Sequence, residues 1–124
     1  MTSTHEINAL VLAYLGDTIY EDYIREYLIK CGIANVNDLQ KEAIKYVSAK
    51  AQCEIVKRLI NEGFFYEEEL VIIKRARNHK SISHPKNCDI VTYRYATGFE
   101  ALIGYLKLEG NINRIDEIIN KILY

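Results

Sequence analysis

The chain has 124 residues, of which 49% are hydrophobic and 27% charged, a balance that excludes a disordered segment and gives one domain enough material for one core. A net charge of −1 excludes a uniformly basic coat for nucleic acid, and no apolar run approaches the roughly 20 residues of a membrane span. Three cysteines without CxxC spacing point to neither a disulfide framework nor a zinc site, and the opening MTSTHEIN lacks the marks of a secretion signal, so the expectation is a single-domain cytoplasmic protein spanning residues 1–124.

In chain order, Ser3-Thr4-His5-Glu6 has the form of a capping box. Behind it, Leu10, Val11, Tyr14, Leu15, Ile19, Tyr23, Ile24, Tyr27 and Leu28 recur at helical steps to Lys30, with Gly32 as the stop. Gly16-Asp17 could kink that helix. A second helix is predicted from near Asn37 to Gly63 along Leu39, Ala43, Ile44, Val47, Ala51, Ile55, Val56, Leu59 and Ile60. The third runs from Glu67 to Arg77, acids first and cations last, as the helix dipole favours. Asn78–Asp89, with the only proline, reads as a loop. Helices from about Asp89 to Leu108 and from about Asn113 to Leu123 complete an all-α fold of five or six helices.

Two acids stand in unusual company. The six residues before Asp17 are all apolar or glycine, and between Arg94 and Lys107 the only charge is Glu100. An ionised carboxylate in apolar surroundings needs a compensating cation. One turn before Asp17 stands the small Ala13, and Thr97 and Gly104 lie one turn either side of Glu100. Such spacing leaves room for two helices, or for a hydrated Mg²⁺, which keeps waters and accepts phosphate oxygens. Glu21, four residues after Asp17, shares its face and is a third candidate ligand. The alternatives at this point are that Asp17 caps a restarted helix and that Glu100 pairs with Arg94.

The segment from Leu70 to Cys88 holds Lys74, Arg75, Arg77, Lys80 and Lys86, two histidines and no acid. It is a candidate anion-binding patch, or else a solvated helix end and a polar loop. Tyr93 and Tyr95 could stack on bases or belong to the core. No phosphate-cradling glycine motif and no nucleophile–base pattern is present.

The stretch Leu15-Gly16-Asp17-Thr18-Ile19-Tyr20-Glu21 resembles the signature helix of the ribonuclease III catalytic domain, and Phe99-Glu100-Ala101-Leu102-Ile103-Gly104 resembles its second acidic motif. Val47-Ser48-Ala49-Lys50-Ala51-Gln52, Lys74-Arg75-Ala76-Arg77-Asn78, Pro85-Lys86-Asn87 and Thr92–Leu102 extend the resemblance, over nearly the whole chain, to the Mini-ribonuclease III branch. The resemblance implies a homodimeric, magnesium-dependent endonuclease of double-stranded RNA that leaves 5′-phosphate and 3′-hydroxyl ends and matures the 5′ and 3′ ends of 23S ribosomal RNA precursor in large-subunit biogenesis. A large-subunit ribosomal protein on the substrate is a conceivable helper. It also implies that Asp17 and Glu100 are the catalytic, metal-binding acids. Two further acids of full-length ribonuclease III are replaced by Ala13 and Thr97, as in the Mini branch. With no separate double-stranded-RNA-binding domain expected, Lys74, Arg75, Arg77, Lys80 and Lys86 become the expected RNA contacts. The competing reading, motivated by the two replaced acids, is a non-catalytic dimeric RNA-binding or ribosome-assembly module on the same fold. A helical packing protein with no RNA role is a third.

Overall fold

The computed structural model describes residues 3–124. They form a short 3₁₀ turn at Thr4–Glu6 and six α-helices: α1 (Ala9–Lys30), α2 (Val36–Val47), α3 (Ala49–Asn61), α4 (Glu67–Arg77), α5 (Ile90–Leu108) and α6 (Ile112–Leu123). No strand occurs among the described residues, and none of their helices is long and apolar enough to cross a membrane.

The helices sit close to where the apolar periodicity puts them, with two corrections. Ser3 does not start α1. It flanks the 3₁₀ turn without a side-chain cap, and α1 begins at Ala9, where the Asn8 side chain accepts from the Leu10 N–H at 2.7 Å. The helix then runs unbroken through Gly16-Asp17 and ends before Gly32, whose φ of +94° suits glycine. The second correction is a break in the long middle helix. Ser48 adopts extended backbone, and its hydroxyl accepts from the Ala51 N–H at 3.1 Å. One chain of in-phase apolar positions therefore becomes two helices, α2 and α3, that meet at a serine cap.

Helix α5 is the axis of the molecule and packs against α1, α3, α4 and α6. Between Ala96 and Leu106 every residue except Glu100 is buried, the all-round burial expected of a central helix. Its closest neighbour is α1. A Cβ added to Gly16 would land on the Glu100 carbonyl, and one added to Gly104 would land on the Leu12 carbonyl. The two backbones therefore touch, and only hydrogen on Cα at both positions permits it. Tyr20 packs edge-on against Phe99 just beyond the crossing, their ring centroids 4.9 Å apart.

At the far end of the core, α6 is fastened to α4 by a buried ion pair. Arg114 donates from Nε and Nη2 to the two carboxylate oxygens of Glu69, each at 2.8 Å, and from Nη2 to the Phe64 carbonyl at 3.0 Å. The guanidinium stacks over the Tyr66 ring, 4.1 Å from its centroid. Glu69 also accepts from the Tyr66 N–H at 2.9 Å. All the charge here is matched by a partner.

Candidate active site

The α1–α5 crossing brings Asp17 and Glu100 together. Both line a cleft of about 290 Å³ whose walls include Ala13, Tyr14, Tyr93, Thr97 and the loop residues Ser81, Ile82 and Ser83. Asp17 is exposed on α1, while Glu100 on α5 is partly buried. Burial first, and then the charge of Asp17 and a hydrogen bond with its side chain, push the Glu100 carboxyl up to about 8. This is the behaviour of a carboxyl withdrawn from water beside a like charge.

Both competing roles for these acids are overturned. Asp17 lies inside a continuous helix and caps nothing. Arg94 does not pair with Glu100. Its Nη1 donates to the Arg77 carbonyl at 2.8 Å and the His79 carbonyl at 3.1 Å, anchoring the root of the 78–89 loop. The side chain that does reach Glu100 is Gln52 of α3, 1% exposed, whose Nε2 donates to Glu100 Oε2 at 3.3 Å and to the Val47 carbonyl at 3.0 Å. Gln52 was not singled out as a site residue from the sequence. The available signal was a polar residue four and seven positions before the buried Val56 and Leu59 of its own helix.

Glu21 lies one turn beyond Asp17. Its charge adds to the upward push on Glu100, and its carboxylate accepts from Arg25 at 3.3 Å. It borders a separate apolar groove between α1 and α2 as well. Ala13 and Thr97 are buried at the cleft, and the Thr97 hydroxyl donates to the Tyr93 carbonyl at 2.9 Å. Neither adds a charge to the acid pair.

The basic residues divide into two kinds. Lys74, Lys80 and Lys86 are exposed, and the latter two flank the loop segment that walls the cleft. Arg75 is tied inward: it donates to the His5 carbonyl at 2.8 Å and the Ile7 carbonyl at 3.1 Å, holding the N-terminal turn against α4. Arg77 donates to the Tyr95 hydroxyl at 3.2 Å and lies over that ring, 5.1 Å from its centroid. Lys57 also sits 4.8 Å from the Tyr95 centroid. Tyr95 is therefore engaged by cations of this chain, whereas Tyr93 faces the cleft.

Among the described residues no group of three or more His, Cys, Asp or Glu side chains is gathered as a metal site. The donor set at the crossing nevertheless fits a divalent ion that keeps most of its waters. Two convergent carboxylates carry more negative charge than the fold neutralises, and beside them the buried Gln52 Oε1 lacks a hydrogen-bond partner.

Residues 10–111 match the family model of the ribonuclease III domain. The chain is 48% identical to Mini-ribonuclease 3 of Enterococcus faecalis over 120 residues, covering 97% of this chain and 91% of that protein. It is 51% identical to Mini-ribonuclease 3 of Brevibacillus brevis over 114 residues, covering 92% and 84%. A crystal structure of a protein from Fusobacterium nucleatum superposes with a TM-score of 0.83 at 39% identity, covering 95% of this chain and 93% of that one. The all-helical fold, the glycine-mediated crossing with its two acids and these relatives together establish that the chain belongs to the ribonuclease III family of endoribonucleases, on its Mini-ribonuclease 3 branch.

Proposed function

We propose that the protein is a magnesium-dependent endonuclease of double-stranded RNA that matures the 5′ and 3′ ends of 23S ribosomal RNA precursor in the cytoplasm. The observation that carries this reading is the uncompensated pair Asp17 and Glu100 at the floor of a cleft walled by the basic loop, in a chain of the ribonuclease III family. Asp17 and Glu100 would hold the cation, with Glu21 adding negative charge from one turn away. The chemistry that a bound Mg²⁺ supplies there is activation of water and stabilisation of charge on the phosphodiester.

The chain's own residues do the rest. The α1–α5 contact holds the two carboxylates at a fixed separation, which preorganises the site before RNA arrives. Exposed Lys74, Lys80 and Lys86 meet phosphates along an A-form duplex, whose minor-groove face offers phosphates and 2′-hydroxyls. Arg75 and Arg77 serve the same surface by fixing the α4 end and the loop root from which those lysines project. In the hydrolysis, water oxygen bonds to phosphorus and the bond to the 3′ oxygen breaks, leaving a 5′-phosphate and a 3′-hydroxyl. A homodimer would set one acid pair against each strand. Residues 10–111, which match the ribonuclease III domain, act as the catalytic domain, and a ribosomal protein bound to the precursor would act by shaping the substrate.

The test is incubation of the purified protein, and of Asp17→Asn, with duplex-forming 23S precursor RNA with and without Mg²⁺, followed by mapping of the new ends. Discrete magnesium-dependent cuts near the mature termini are expected, reduced on the order of a thousandfold in the variant. RNA that is bound but left intact by the unmodified protein would contradict the reading and favour the assembly-module alternative.

A further inference from the structure

Gln52 is 1% exposed at a position where a leucine or methionine would fill the same space without leaving an amide oxygen unpartnered. Its orientation follows from its neighbours. Val47 O and Glu100 Oε2 are both acceptors, so only the NH₂ end of the amide can face them. One hydrogen goes to each, at 3.0 and 3.3 Å, and Oε1 is left buried without a partner.

The anchor on Val47 exists because of the break at Ser48. In an uninterrupted helix the Val47 carbonyl would accept from the N–H of Ala51, four residues on. Here the Ser48 hydroxyl takes that N–H at 3.1 Å, and the Val47 carbonyl accepts from Gln52 instead. Ser48, Val47, Gln52 and Glu100 therefore form a chain of contacts leading from the α2–α3 junction to the acid pair.

We propose that Gln52 is a positioning residue for cation binding: its amide, braced on Val47, fixes the Glu100 carboxylate through Oε2 so that the other oxygen faces Asp17. A neutral donor is the side chain that suits this task. Lysine or arginine would cancel the negative charge that attracts a divalent ion, and glutamate would add a third like charge to a crowded pair. Partners that orient metal-ligating carboxylates contribute to metal affinity in this way. The proposal rests on the reading of Asp17 and Glu100 as the cation ligands.

Mn²⁺ binding in the absence of RNA, measured calorimetrically, separates the two ideas. Gln52→Met keeps the volume and removes the donor; its thermal melt in chelator reports whether the fold is kept. Its affinity for Mn²⁺ is expected to fall about tenfold or more, with duplex-RNA affinity in chelator unchanged. Asp17→Asn is expected to lose Mn²⁺ binding. Unchanged affinity in Gln52→Met beside loss in Asp17→Asn would overturn the role of Gln52 and leave the acid pair standing. Unchanged affinity in Asp17→Asn would overturn both. Should Gln52→Met fail to fold, Gln52→Leu, which also fills the site without a donor, is expected to lower Mn²⁺ affinity to the same degree, and unchanged affinity there overturns the proposal.

Discussion

Glu69 and Glu100 are both helix acids turned toward the interior, and they are used in opposite ways. Glu69 accepts from Arg114 on both oxygens and from the Tyr66 N–H, and the two charged side chains are buried. Glu100 accepts from one neutral amide and faces a second carboxylate at the edge of a cleft. A carboxylate whose lone pairs are all matched within the chain is a fastening. One that is set against a like charge is left uncompensated in the folded protein, and on the proposed function a cation from outside completes it. The difference separates an acid matched within the chain from one left uncompensated, by a criterion that burial alone does not provide.

The fastening breaks most visibly. Replacing Arg114 with alanine strands a buried carboxylate, with an expected loss of about 3–5 kcal/mol in urea denaturation. The double variant Glu69→Leu with Arg114→Met should recover most of that loss, because matched apolar groups leave no charge behind. At the acid pair the expectation has the other sign, since Glu100→Gln removes repulsion and should leave the metal-free protein as stable as before or more so.

Acidity sharpens the same contrast. The Glu100 carboxyl is pushed up to about 8, against about 4.3 in an unfolded chain. Between those values the folded protein keeps a proton that the unfolded chain has released. Metal-free stability from this group is therefore fully present below the lower value and is lost as pH rises toward the upper one, by at most about 1.4 kcal/mol per pH unit. Denaturation in chelator from about pH 5 to about pH 8 should show the decline, and Glu100→Gln should flatten it.

The smallest effects belong to the basic residues. Lys80→Ala and Lys86→Ala are each expected to weaken duplex-RNA binding modestly and to lower its salt dependence by about one released counterion. Arg75→Ala should instead lower thermal stability, because its guanidinium holds the His5 and Ile7 carbonyls.

The helices were legible wherever the apolar period, a capping residue and a stop agreed. The bounds of α4 coincide with its acidic start and basic end, and α1 stops before Gly32 as the pattern implies. Asp17 and Glu100 stood out because charge is rare in their neighbourhoods, and Gly104 hinted at the close crossing. Two kinds of feature were hidden. Serine is tolerated inside a helix, so nothing in the period around Ser48 reveals a break whose two sides stay in phase. Partners distant in sequence were hidden too: Arg114 and Glu69 lie 45 positions apart and Gln52 and Glu100 lie 48 apart, and helical spacing records a face without recording what it meets. Arg75 and Arg77 looked like their neighbour Lys74 for the same reason.

The central claim is that the fold leaves the Asp17–Glu100 pair to be completed by a cation. It is tested most directly by thermal denaturation of the unmodified protein and Asp17→Asn, in chelator and in Mg²⁺. At ten times the dissociation constant, binding to the native state contributes about 1.4 kcal/mol, so the midpoint of the unmodified protein should rise by about 5 °C. That of Asp17→Asn should not move. A midpoint indifferent to magnesium in the unmodified protein, or an equal rise in the variant, would contradict the account.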